Sequence, residues 1–281
     1  MFYHLADIRV VVWVCITFAL IALQWLGVVQ HWAVYLPTFY FAFACKVIVH
    51  NHCHFPTLKS GWNTLFNLLL EITTLATVQF VYAIHMENHH REHMTDDDCS
   101  GVHRYSGRWA LIEAGISPFL FLAKFRLSGR CRQVVSGWVG RQQWRIRELR
   151  WHNAIIYSLS GTLLWLRPWE TLIYYIIPNM VSLWWIVMTN HLQHIGCSDD
   201  SEFTHSRTIT GRVSNWLLFN AGHHMAHHHR PRKHWTRLPA FYDKYLSAQV
   251  PQELKHGSFV GALLTVYLCT LFSTKQIYLP R

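Results

Sequence analysis

The chain has 281 residues, of which 51% are hydrophobic and only 14% charged, a balance that argues against an ordinary soluble domain and toward the membrane. Aromatic residues reach 15%, with 14 Trp, and Trp and Tyr gather where helices meet lipid headgroups. The formal charge is +10, from 25 Lys and Arg against 15 Asp and Glu, yet no recognition motif accompanies the excess, so no nucleic-acid partner is expected.

Residues 10–29 carry no charge over 20 positions, enough helix to span a bilayer core. The run is too long for a signal-peptide core and lacks a small-residue cleavage site, so it is read as retained. After Gln30 and His31 comes a second apolar run, 32–49, with Lys46 placed to snorkel toward the interface. The tight link makes the two a hairpin.

Between 62 and 84, Glu71 and several Thr and Asn residues dilute the apolar pattern, which reads as a helix lying along or dipping into the interface. From Lys124 to Arg150 there are eight basic residues (Lys124, Arg126, Arg130, Arg132, Arg141, Arg145, Arg147, Arg150) against one acid, Glu148. Such a segment suits a cytoplasmic juxtamembrane stretch on anionic lipid, or a docking face for an acidic partner. A second hairpin follows, from a short span at 154–166 and another at 172–189, broken at Pro178, with the link at Arg167-Pro168-Trp169-Glu170. The apolar run 258–272 is either an interfacial helix or a tilted span.

The expected fold is therefore all-α. It is an integral membrane protein with about four transmembrane helices in two hairpins, forming one domain over 1–281, with a cytoplasmic helical cap from 50–150 and 190–257. The seven cysteines form no C-x-x-C pair, and they read as scattered small hydrophobes, not as a disulfide framework or zinc knuckle.

Histidines cluster at the ends of these segments: His50, His52 and His54; His85, His89, His90 and His93; His191 and His194; and His223 to His229 in HHMAHHH. The hairpins return the chain to the side it left, so the clusters share one face provided 62–84 does not cross. The basic segment makes that face cytoplasmic. His50 and His54, His85 and His89, and His224 with His227 and His228 have spacings that place imidazoles on one helical face. Nine histidines fit best as ligands: His50, His54, His85, His89, His90, His194, His224, His227 and His228. That is more than one zinc takes, so they would supply two metal ions with open positions for water or oxygen. His52, His93, His223 and His229 are expected beside the ligands or facing solvent rather than among the ligands, whereas His191 and His205 each read as either a supporting residue beside the ligands or a bystander. The isolated His4, His31, His103, His152 and His256 read as surface or interface residues. A carboxylate-type centre is the rival, since Glu87 with His90 and Glu202 with His205 repeat Glu-x-x-His, but it needs further glutamates, for which Glu71 and Glu113 are available and unpaired.

In their order and spacing HNHCH (50–54), HMENHH (85–90) and HMAHH (224–228) resemble the three histidine boxes of the membrane fatty acid desaturase and hydroxylase superfamily. The stretch NHLQH (190–194) is similar to that family's additional Asn and His, with Asn190 acting through a water. The tail from Asn220 to Pro239 also resembles the family's. Two departures stand out: His89, His90 and His93 offer an alternative second grouping, and His223 stands where the family commonly has an aromatic residue.

The resemblance implies two iron ions in a non-haem di-iron centre that uses O2 and two electrons on an unactivated C–H bond of an acyl chain. A desaturase is the first expectation, with hydroxylase, acetylenase, decarboxylase and carotenoid ketolase outcomes in the same family. The substrate would be an acyl-lipid, acyl-CoA or acyl-carrier-protein ester. No haem or iron–sulfur motif is present, so electrons should come from a separate donor such as a ferredoxin, cytochrome or reductase. Readings from other classes are a histidine-rich metal transporter or sensor, which would need ligands within its spans, and a zinc-dependent membrane hydrolase.

Overall fold

The computed structural model describes residues 2–59, 61–93, 95, 97–101, 111–116, 118–119, 129, 131, 133, 136–137 and 142–268. Lys124, Arg126, Arg130, Arg132 and Arg141 of the basic segment lie outside them, as do His103 and Cys269. The chain divides into two compact units, Met1–Ala83 with Val135–Ile186, and Ile84–Val134 with Val187–Arg281.

In the first unit, α1 (Asp7–Trp25) buries Asp7, Val10, Val14, Thr17, Ile21 and Gln24, a stripe that recurs every three or four residues. It meets α2 (Trp32–His54) through polar contacts: Thr17 Oγ1 lies 3.0 Å from Cys45 Sγ, and Gln24 Nε2 donates to Thr38 Oγ1 at 2.9 Å. Its other side exposes Val12, Phe18 and Leu23. Lipid tails are as apolar as these side chains, so helix association in a bilayer relies on close fit and interhelical hydrogen bonds of this kind.

The segment read as one interfacial helix is two, α3 (Trp62–Thr74) and α4 (Val78–Glu92), bent by 86°. The elbow turns at Leu75, whose φ of 52° lies in the left-handed region. Its exposed backbone carbonyls find partners on two other helices. Tyr175 OH donates to Ile72 O at 2.5 Å, Asn179 Nδ2 to Thr73 O at 3.2 Å, and Lys46 Nζ to Thr74 O. The Glu71 carboxylate accepts the Val78 N–H at 2.7 Å and bonds His152 Nδ1 at 2.6 Å. Lys46 therefore does not snorkel: its ammonium is buried against the negative end of α3, where free carbonyls attract a cation.

A long helix, α5 (Gln143–Leu166), contains the short apolar run 154–166, preceded by Arg145, Arg147, Glu148 and Arg150. Pro168–His194 forms α6. Pro178 does not break it; a π-turn at Leu172–Ile176 just before it absorbs the hydrogen bond that proline cannot make. Among the described residues, α1, α2 and α6 are long and apolar enough to cross a membrane, with mean hydropathies of 2.0, 1.5 and 1.5, and the bent pair would make a fourth. The protein is a mostly helical membrane protein. Phe259–Leu268 is apolar but shorter than a span.

The second unit consists of short helices: α7 (Arg212–Leu217), α8 (His224–His229), α9 (Leu238–Tyr245) and α10 (Phe259–Leu268). Thr208–Ile209 pairs in parallel with Lys255–His256, a two-residue ladder that the all-α expectation did not include. One apolar cluster joins Leu192, Ile195, Ile209, Val266 and Tyr267, and another backs Met225 and Ala226 of α8 onto Leu238, Tyr242 and Leu254. Buried Arg207 donates to Leu192 O at 3.1 Å and to Ile195 O, closing the carbonyl end of α6. Cys99 and Cys131 are joined in a disulfide, their Cα atoms 5.7 Å apart, against the expectation that no cysteines pair. Their 32-residue separation gives no local spacing signal.

Candidate metal centre

The second histidine box folds as a π-turn, His85–His89, and not as regular α-helix. Because a π-turn bonds i to i+5, His85 meets His90: their Nε2 atoms lie 3.1 Å apart. The third box donates His227 to the same place, with its Nε2 3.0 Å from that of His90. His85, His90 and His227 thus converge through their Nε2 atoms.

His89 points elsewhere. With His194, His224 and His228 it forms a group in which one ring nitrogen from each lies within 4.8 Å of all the others. The Nε2 of His224 lies 2.8 Å from that of His194 and 3.1 Å from that of His228. The helical face expected for box three is divided accordingly: His224 and His228, four apart, share one group, and His227 serves the other.

Outer contacts orient these rings. His89 Nδ1 bonds Asp98 Oδ2 at 2.8 Å, while its Nε2 is buried without a hydrogen-bond partner. Burial alone would raise the Asp98 carboxyl, but His89 and the Ser100 donors outweigh it and hold it down at about 2. His194 Nδ1 donates to the carbonyl of His205 at 3.0 Å. In each case the outer bond fixes the proton on Nδ1 and leaves the Nε2 lone pair for a cation. Burial, then the neighbouring imidazoles His90 and His224, push His228 well below the ordinary histidine range, so it stands neutral as a ligand must. An orphaned buried nitrogen within a set of neutral imidazoles fits a transition-metal ion such as iron.

His50 and His54 sit together at the end of α2 in the first unit, ring centroids 4.9 Å apart. Asn190 lies one turn before His194 and donates to Ser100 O at 3.4 Å. His52 has both nitrogens engaged. Asn67 donates its amide to Glu148 Oε1 at 2.7 Å, so its oxygen accepts from His52 Nε2 at 2.7 Å, and His52 Nδ1 accepts the Thr57 N–H at 3.1 Å. His191 is likewise engaged by Tyr267 OH at 2.8 Å and Glu113 at 3.5 Å. His223 lies beside Tyr242, ring centroids 5.6 Å apart with the planes tilted by 59°, and burial pushes it down to about 4. His229 bonds the Glu202 carbonyl at 2.7 Å.

The glutamates of the carboxylate rival are used otherwise. Glu71 caps α4, Glu113 faces His191, Glu87 pairs with Arg91 at 2.8 Å, and Glu202 is largely exposed. Among the described residues, no metal-capable group contains a carboxylate. Sequence reasoning missed Asp98; the one available signal was the acidic run Asp96-Asp97-Asp98 shortly after box two.

The sequence matches the fatty acid desaturase family over residues 23–259, most of its length, and the chain belongs to that family. No curated protein matches the chain at a significant level. Membership makes the protein an oxidoreductase of the membrane desaturase and hydroxylase superfamily, a family known to bind iron, and the histidine groups can hold metal.

Proposed function

We propose that the protein is a di-iron, O2-dependent oxidase acting on an unactivated C–H bond of a lipid acyl chain, with desaturation as its reaction. The observation that carries this reading is the division of six box histidines and His194 into two converging groups, His89 with His194, His224 and His228, and His85 with His90 and His227. His50, His54 and, through a water, Asn190 complete the ligand set by the box pattern. When bound there, iron supplies oxidation of a C–H bond with O2 and two electrons. The chain's own part is to hold neutral imidazoles in fixed tautomers, through Asp98 and the His205 carbonyl, and to bury them away from bulk water.

The wider reading follows from the same pattern. The apolar helices pair as hairpins across the bilayer, the α3–α4 elbow dips and returns, and the histidines face the cytoplasm. The substrate is an acyl-lipid, acyl-CoA or acyl-carrier-protein ester, and a separate ferredoxin, cytochrome or reductase supplies electrons. The test is expression in a desaturase-deficient bacterium with lipid profiling and metal analysis of the purified protein. Iron at about two per chain and a new double bond support the proposal, and His228→Ala should abolish both while membrane insertion persists. A hydroxylated product would correct the outcome. Zinc alone with O2-independent turnover would refute it.

A further inference from the structure

Two histidines outside the box pattern, His93 and His205, stand against His228. One ring nitrogen from each of the three lies within 4.8 Å of the other two. Ring centroids are 5.1 Å apart for His93 and His205, 5.0 Å for His93 and His228, and 5.2 Å for His205 and His228. The Nδ1 atoms of all three are buried without a hydrogen-bond partner, while His228 turns its Nε2 toward His224 at 3.1 Å. Buried ring nitrogens are normally satisfied, so three orphans in one place call for a shared partner. A cation is the partner that the lone pairs of three ring nitrogens can accept together.

We propose that His93, His205 and His228 form an additional site for a divalent transition-metal ion, with His228 shared as a bridging imidazolate: its Nε2 serves the four-histidine group and its Nδ1 the new site, and its ring proton leaves to solvent when both are filled. An all-imidazole donor set selects zinc, copper, nickel or iron over calcium or magnesium. Three protein ligands leave a coordination position open. His205 is buried like His89, His194 and His224, whereas His93 is half-buried and gives the new site its more open edge.

The test uses the full-length protein, purified in detergent, stripped with a chelator and titrated with Zn2+. Wild type should bind one equivalent more than His205→Ala or His93→Gln, with the remaining equivalents unchanged. His205→Ala keeps the backbone carbonyl that orients His194, so it removes only the imidazole. A readout on wild type alone needs no variant: Zn2+ should protect His93 and His205 from acylation by diethyl pyrocarbonate, followed by peptide mass mapping. Equal stoichiometry in wild type and both variants overturns the site, as does loss of every equivalent together or unchanged modification of His93 and His205. A count lowered by His224→Ala but not by His205→Ala sinks this site and leaves the proposed di-iron centre standing.

Discussion

Replacing Asp98 with Asn conserves volume while removing the charge behind His89. The carboxylate is 2% exposed; its Oδ2 accepts from His89 Nδ1 at 2.8 Å, and its Oδ1 accepts the Ser100 N–H and hydroxyl, each at 2.9 Å. An amide cannot reproduce this. With its oxygen toward His89, its NH2 group faces the Ser100 N–H, donor against donor. Flipped, it donates to His89 Nδ1 and drives the proton onto Nε2, the nitrogen the metal needs. Losing an outer partner of a metal-bound histidine typically lowers affinity 10- to 100-fold, about 1.4–2.7 kcal/mol. The assay is competition for Zn2+ between stripped protein and a chelator of known affinity, with circular dichroism confirming helix content. Affinity in Asp98→Asn equal to wild type within a factor of about two would refute the role given to Asp98.

Other substitutions probe the scaffold. A Cβ on Gly222 would sit 2.3 Å from Ile209 O and 2.7 Å from Asn215 Oδ1, so Gly222→Ala should displace the start of α8, cost about 1–3 kcal/mol and lower metal content, read by thermal unfolding and metal analysis. Asn67→Ala leaves the His52 Nε2–H and Glu148 Oε1 without their shared partner, and should lower stability by about 1–3 kcal/mol in detergent unfolding. The hydrogen bond that His152 Nδ1 donates to the Glu71 carboxylate raises the pKa of His152 above its ordinary value. A folded-state value above the unfolded one gives stability that is full below about pH 6.5 and lost as pH rises through the raised value. The melting temperature should therefore fall as pH rises above about 6.5 in wild type, with that component absent in His152→Gln.

The boxes were legible because ligands on short helices must recur at short spacings, and His224 with His228 met through the i, i+4 relation that the sequence shows. The pairing of His85 with His90 was not, because a π-turn leaves no periodicity of its own in a six-residue motif. Lys46 and Glu71 looked like interface residues, since a charged side chain that closes the end of another helix is recognisable only when that helix is in place. The partnering of Cys99 with Cys131 and of His93 with His205 spans long stretches of chain, beyond any local pattern. The apolar runs of α1, α2 and α6 were readable because spanning length and lack of charge are properties of composition.

The division of the second and third boxes between two groups has a mechanical consequence. The six residues of α8 send His224 and His228 one way and His227 the other, and the turn at His85–His89 does the same for His90 and His89. A point substitution can empty one group alone. A shift of either segment by one residue, or a tilt of α8, must misalign both at once. The two groups thus stand or fail as a pair against insertions, deletions and backbone strain, while staying separately tunable by side-chain exchange.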